Sequence, residues 1–461
     1  MRRSSRVGWP SSAIDMPVEE IGTVADRGQE RSSDQRPAVI ITGPPWPRSG
    51  TGRVIQSQIE YYHERGFYTV LICAPVHCSF TADHVDWPRL REELRELGAD
   101  KTFIAPIDPR RFAIDKYTTW IAHGLRGTAL DWIVFTARSA HLSADEIGFI
   151  KQLNVAAVHV NHVFTVDFAR RLLKETVRGG ARIPIVLDTH DIQARALKER
   201  GEINPWTHKF DSMDRMLRSE IAHLKKAQIL VHVSTEDLVY FRGQLPDKSH
   251  VLALPTIDER FVLGIEADHA LPMPPTDILF VGQSTAPNVA AIRWFLEEVW
   301  PLIAQKNYTL RIVGGIETQF RADLPALYER FRHQFIGPVV ALEPEYRAAR
   351  TVIAPMMSGT GISIKTIEAL ASGKPFVGTS KAYRGMPMDE LERLGLRPYD
   401  TPQSFADAIE EALWDAPKAA RASRSAYAQL FSKQACFAAR DHALELGSPR
   451  QTLSTASSQA S

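Results

Sequence analysis

Cysteine is scarce in this chain, and the three that occur among its 461 residues, Cys73, Cys78 and Cys436, show neither a disulfide framework nor metal-ligand spacing. A reducing compartment, the cytoplasm first, is the expectation. Net charge is missing too: 55 Lys and Arg stand against 54 Asp and Glu, a formal +1. That balance offers no electrostatic footprint for nucleic acid and no acidic tail, so no nucleic-acid partner is expected. Nowhere do the roughly 18 consecutive apolar residues of a spanning helix occur, although the sequence is compatible with peripheral membrane contact through an amphipathic helix. The basic start, Met1-Arg2-Arg3, runs into Pro, Ser, Glu and Asp instead of an apolar stretch, unlike a secretory signal. Two nucleotide fingerprints are also absent. Gly50 and Gly52 lack the third glycine of a dinucleotide loop, and their loop lacks the Lys-Ser/Thr ending of a P-loop.

What is present is a long series of short apolar strands separated by helical segments. A chain of this length exceeds one ordinary core, so two domains are expected. Residues 1–36 read as a disordered tail and 37–255 as a first domain. Residues 256–425 form a second domain, 426–446 a C-terminal helix and 447–461 a further tail poor in anything to bury. The first domain opens with Val39-Ile40-Ile41-Thr42, a glycine- and proline-rich loop ending at Gly52, and a helix carrying Ile55, Ile59 and Tyr62. Further strands are read at residues 68–72, 102–105, 132–135, 156–160, 185–188, 229–233 and 251–254. Continuous apolar strands alternating with helices predict a parallel sheet covered on both faces, with ligands at the strand ends. Two ends are polar: Asn161-His162 and Asp188-Thr189-His190-Asp191. His190 is either a satisfied structural group or a substrate contact.

After Leu271-Pro272-Met273-Pro274-Pro275 the pattern restarts, with strands at residues 277–281, 309–313, 334–336, 351–354 and 376–379. Ile292, Phe295, Leu296 and Val299 form a stripe that predicts a core-facing helix. Later helices are read from about Ser404 and from about Ser425. The most informative stretch runs over residues 354–375. Val352-Ile353-Ala354 gives way to Gly359-Thr360-Gly361, and Ile364, Ile367 and Ala371 then recur at helical spacing before Gly373 and Pro375. A strand, turn and helix of this kind aims unpaired amides and the positive helix end at an anion. Lys365 adds a charge, and Glu368 is a carboxylate suited to sugar hydroxyls. The alternative is a tight turn followed by a solvated Lys365–Glu368 pair.

Several spaced motifs agree in order: Ile278-Leu279-Phe280-Val281-Gly282, Pro287-Asn288, Arg311-Ile312-Val313-Gly314-Gly315, Phe335-Ile336-Gly337-Pro338-Val339 and Lys365-Thr366-Ile367-Glu368-Ala369-Leu370. Through them the second domain resembles retaining glycosyltransferases of family four. The first resembles theirs more loosely, through Pro47-Arg48-Ser49-Gly50 and the turn at His190.

The resemblance implies an α/β fold of two facing Rossmann-like domains, the GT-B arrangement, with acceptor bound by the first and nucleotide-sugar donor by the second. It implies metal-independent, retaining transfer of a sugar from a nucleotide diphosphate sugar to a hydroxyl of a glycan, lipid-linked or small-molecule acceptor, as in polysaccharide biosynthesis, with no cofactor. No Asp-x-Asp pair is present for a metal. Under it Glu368 matches the glutamate that holds the donor ribose, Lys365 is the candidate for the leaving phosphate, and His190 matches a histidine at the transferred sugar. Gly361 and Ser363 would present amides, Gly50 and Gly52 would approach the diphosphate from the first domain, and Gly337 and Val339 fall where the base packs. Thr360 stands where the broader family has a glutamate and Gln283 where it has an arginine, which implies a variant donor site. Rival readings are a non-catalytic nucleotide-sugar-binding partner or sensor, and an epimerase or hydrolase on the same fold.

Overall fold

The computed structural model describes residues 36–76, 85–107, 127–177, 180, 183–199, 212–266, 273–359 and 361–447. Apart from Arg36 and Gly447, the two expected tails lie outside the described residues, as do Thr360, Cys78, Leu271 and Pro272.

Seven strands form the first sheet: β1 (Ala38–Gly43), β2 (Tyr68–Cys73), β3 (Lys101–Ile104), β4 (Val155–Asn161), β5 (Ile185–Asp188), β6 (Ile229–His232) and β7 (Ser249–Leu252). Their order is β3-β2-β1-β4-β5-β6-β7, and every pairing is parallel. All six residues of β1 are buried, as a strand covered on both faces requires. Helix α1 (Gly50–Glu64) returns along the sheet, burying Ile55, Ile59 and Tyr62, and Ser49 caps its start.

Three expectations need correcting here. Trp132–Phe135 is not a strand but part of helix α2 (Ala129–Arg138), because Thr128 and Asp131 close a capping box and a four-residue apolar run carries no period of its own. Gly50 and Gly52 lie in the first turn of α1, not in the loop before it, since the Ser49 side chain already caps the helix. The last strand, β7, is shifted to Ser249–Leu252 by its pairing with β6, which sets Ser249 against Ile229. Helix α3 (Thr235–Gln244) follows β6, with Ser234 as its cap.

A second sheet holds β8 (Thr276–Val281), β9 (Leu310–Val313), β10 (Phe335–Gly337), β11 (Ala349–Ala354) and β12 (Phe376–Gly378), in the order β10-β9-β8-β11-β12 and again all parallel. Helix α4 (Ala286–Trp294) continues through a π turn, and the stripe Ile292, Phe295, Leu296 and Val299 is wholly buried, as its periodicity predicts. Helix α5 (Ile364–Ala371) follows β11.

Near the C-terminus the helix expected from Ser425 is two elements. One spans Ala416–Ala426 and ends in a π turn; extended Ser432 then breaks it from α6 (Lys433–Gly447). The last helix returns to the first lobe. Its Cys436 and Phe437 join Val39, Ile41 and Ile59, and its Asp441 receives Arg65 in a two-pronged pair at 2.7 and 2.6 Å. Among the described residues no helix is long and apolar enough to cross a membrane.

Both sheets reverse their strand order at one place, between β1 and β4 in the first and between β8 and β11 in the second. The crevice outside the carboxyl ends of the strands at such a reversal is where open α/β sheets bind ligands. Gly50 and Gly52 follow β1, and Gly361, Ser363, Lys365 and Glu368 follow β11, at those two places; His190 follows β5, one strand beyond the first reversal, and Gly337 ends the edge strand β10.

Candidate functional site

On the second lobe the site is built where β11 ends and α5 begins. Ser363 is the N-cap of α5, yet its side chain makes no cap bond; it takes up the Thr366 hydroxyl at 2.9 Å instead. The first amides to bond within α5 are those of Thr366 and Ile367, both to the Ser363 carbonyl, so the amides of Ile364 and Lys365 come before the ladder begins, the arrangement that receives an anion. Gly361 holds φ +62° in the turn, and a Cβ there would come against the Asp191 carboxylate of the first lobe, so a side chain at this position would be strained and Asp191 would have to shift.

Lys365 and Glu368 do not form the solvated pair that was one reading of their spacing. The Lys365 ammonium donates to Asn288 Oδ1 at the start of α4 and lies 5.2 Å from the centre of the buried Phe280 ring. Burial, with Arg384 adding repulsion and Glu368 opposing, brings its pKa down to about 8. The Arg384 guanidinium packs against the turn at Gly359. Glu368 is buried and turns to the other lobe, where its Oε1 receives Arg53 Nη1 of α1 at 2.5 Å.

Across the crevice, β4 and β5 end in a buried polar network. Asn161 Oδ1 accepts from His190 Nε2 at 2.9 Å and from Gln58 at 3.0 Å, and Gln58 in turn donates to Asp188 at 2.7 Å. An amide oxygen only accepts, so His190 carries its proton on Nε2 and presents Nδ1 as an acceptor. His190 stacks on His162 at 4.0 Å, and both hold φ +62°, a conformation that costs about 1–3 kcal/mol in a residue with a side chain and that gathers at functional sites. Burial pushes His190 down to about 4 against the pull of Asp188, so the ring is neutral at pH 7.

Asp188 has no accessible surface. Burial alone would raise its pKa, but Arg440 of α6 at 3.3 Å and His159 at 3.0 Å hold it well below the usual carboxylate range. Asp188 is therefore a structural anchor under His190.

The remaining predicted residues divide. Gly50 is exposed in the first turn of α1, with open space beside it. Gly52 is buried, its amide bonded to Ser49 Oγ at 3.4 Å and its Cα pressed against the Pro47 carbonyl, so its glycine serves the loop packing. Gly337, at φ +76°, ends β10 and accepts the Gly314 amide at 2.9 Å; Val339 packs half-buried on the second core. Thr360 lies outside the described residues.

Sequence reading missed the roles of Arg53, Arg384, Asn288 as the Lys365 partner, and Arg440. Of these only Asn288 had a signal, its place after Pro287 at the start of a helix.

Residues 275–415 match the family glycosyl transferases group 1. That segment spans the second sheet, and it bears out the likeness to glycosyltransferases read from the motifs there. No curated protein matches the chain in sequence. Among solved structures, HepE from Anabaena, in complex with UDP and glucose, is 14% identical at a TM-score of 0.55, covering 89% of this chain and 99% of its own. A glycosyltransferase from Rickettsia africae is 13% identical at 0.56, over 89% and 98%. An alpha,alpha-trehalose-phosphate synthase (UDP-forming) from Burkholderia vietnamiensis is 12% identical at 0.53, over 89% and 99%. At such identities the likeness is one of fold, and the fold is the GT-B arrangement of two parallel-sheet lobes covered by helices.

Proposed function

We propose that the protein is a metal-independent, retaining glycosyltransferase that moves a sugar from a nucleotide diphosphate sugar to an acceptor hydroxyl. One observation carries the reading: the first turn of α5, with Lys365 on it and Glu368 one turn on, stands at one sheet reversal, while the neutral His190 stacks on His162 at the end of β4, beside the other. The similar HepE and trehalose-phosphate synthase structures make a UDP-linked sugar the first donor to try.

In this account the diphosphate rests on the amides at Ser363, Ile364 and Lys365, and the ribose hydroxyls bind Glu368. The sugar lies toward His190, whose Nδ1 accepts from a sugar hydroxyl. The bond from the anomeric carbon to the phosphate oxygen breaks as the acceptor oxygen bonds to that carbon from the same face. The acceptor proton leaves on the departing diphosphate, the strongest base on that face. Charge grows on the leaving oxygen, so a preorganised ammonium and three amides act where the transition state needs them. Gly337 and Val339 would line the base, and Gly50 the diphosphate from the first lobe.

The test is a transfer assay over UDP-, GDP- and ADP-sugars with glycan, lipid-linked and small-molecule acceptors. Lys365→Ala should lower kcat by about a hundredfold or more, and Glu368→Ala should raise the donor KM. Parental rates in both variants would sink the assignment. A second reading, a nucleotide-sugar-binding subunit without turnover, is favoured by Gln283, which stands beside Gly315 without a charge to offer a phosphate. Tight donor binding with neither transfer nor hydrolysis across the panel would select it.

A further inference from the structure

Arg53 joins residues 315 positions apart, yet its side chain is 55% exposed while Glu368 is 12% exposed. An ion pair with so solvated a partner contributes little to folding. Other contacts already link the lobes, including Thr235 to the Gly385 carbonyl at 2.9 Å and α6 against the first core. What the pair does is occupy one oxygen of the carboxylate that the donor-site reading gives to a ribose diol. A diol taking that carboxylate displaces the guanidinium.

The displaced group stays tethered beside the site. Ile55, Ile59 and Tyr62 fix α1 in the first core, so the backbone of Arg53 stays where it is. Gly50, Arg53 and Val54 face Ile364, the first residue of α5, across a narrow gap. From Glu368 back to Ile364 is four residues, about 6 Å along a helix axis. A phosphate on the first amides of α5 therefore lies about one turn from where the guanidinium now rests, and a planar guanidinium matches phosphate oxygens in pairs.

We propose that Arg53 is a mobile cation of the donor site, held on Glu368 when the site is empty and passed to the diphosphate when a ribose takes that carboxylate. The inference rests on the donor-site reading and deepens it. Its consequence is selectivity. A nucleoside must break the Arg53–Glu368 pair and gains nothing in return, whereas a nucleoside diphosphate breaks it and receives the guanidinium on its phosphates.

The experiment compares the full chain with its Arg53→Met and Arg53→Lys variants by calorimetric titration with UDP and with uridine, repeated with GDP and guanosine and with ADP and adenosine. Unfolding temperatures of the variants should match the parent, because the side chain is exposed. For the diphosphate that the parent binds, Arg53→Met should weaken affinity at least tenfold, while the matching nucleoside binds equally well or severalfold tighter. Arg53→Lys should recover part of the diphosphate affinity. Diphosphate binding to Arg53→Met at parental strength or better would make Arg53 a mere cover over Glu368 and overturn the proposal. Equal weakening of nucleoside and diphosphate would also overturn it, because Arg53 would then only orient Glu368. A parent that binds none of the three diphosphates would remove the donor-site reading itself, and the role of Arg53 with it.

Discussion

Lys365 is the group whose ionisation makes donor binding measurable as a proton count. Burial, Arg384 beside it and Glu368 opposing bring its pKa to about 8 from its ordinary value of 10.5. At about 1.4 kcal/mol per unit this is about 3 kcal/mol of disfavoured charge. A diphosphate arriving on α5 reverses the balance, because an adjacent anion favours the ammonium. At pH 8 the free protein holds about half a proton on Lys365 and the complex about one, so binding takes up about half a proton. At pH 9 the uptake approaches about 0.9, and above pH 8 the Kd rises by up to about tenfold per pH unit. Calorimetric titration with UDP at pH 7, 8 and 9, in buffers of different ionisation enthalpy, reads the uptake directly. Buried Glu220 and Asp237 titrate at about 8 and about 7, so Lys365→Met is the control that isolates the lysine. In that variant the pH dependence above 8 should vanish and affinity below pH 8 should fall. A parental Kd flat from pH 7 to 9.5, or a dependence that survives in Lys365→Met, would refute the reasoning.

Arg440→Met leaves the fully buried Asp188 without its cation, which should cost about 3–5 kcal/mol in chemical denaturation; a loss under about 1 kcal/mol would show that His159 and Gln58 suffice. Because Arg440 also holds the His190 pKa down, imidazole NMR resonances in a folded Arg440→Met sample should show His190 titrating above about 4. Gly361→Ala imposes φ +62° on a side chain that meets Asp191, so it should destabilise by about 1–3 kcal/mol and abolish donor binding; Asp191→Ala in the same chain should relieve the collision but not the strain. Burial of Glu220, against the amides of Gln193 and Ala194, raises its pKa from 4.5 to about 8. The folded state then binds more protons than the unfolded one, so stability should fall as pH rises from about 4.5 to about 8. Glu220→Gln should flatten that slope, and an unchanged slope would assign it elsewhere.

The parallel lobes were legible because a strand buried on both faces carries a continuous apolar run, and Ala38–Ile41 of β1, Val155–Val158 of β4, Ile278–Val281 of β8 and Val352–Ala354 of β11 are such runs. Trp132–Phe135 misled for the same reason: four apolar residues satisfy a buried strand and a helix alike, and the Thr128–Asp131 box that decides the matter is a four-residue signal. The α5 corner was legible as well, since turn, amides, Lys365 and Glu368 all sit within about ten residues. What stayed hidden was every contact between distant parts of the chain. Arg53 and Glu368 meet because two sheets reverse their strand order face to face, and no local pattern on α1 announces it. Arg440 looked like one of many charges on a terminal helix, and only the return of α6 to the first lobe buries it against Asp188. Gly52 reads like a ligand glycine, yet the Pro47 carbonyl above it is its reason.

The most direct measurement is a crystal structure of the chain with the nucleoside diphosphate that binds it best, UDP first. The account predicts the ribose hydroxyls on the Glu368 carboxylate, phosphate oxygens on the amides of Ile364 and Lys365 and on the Lys365 ammonium, and Arg53 turned from Glu368 to the diphosphate. A nucleotide bound elsewhere, or one at this corner whose phosphates point away from α5 while Arg53 stays on Glu368, would contradict it.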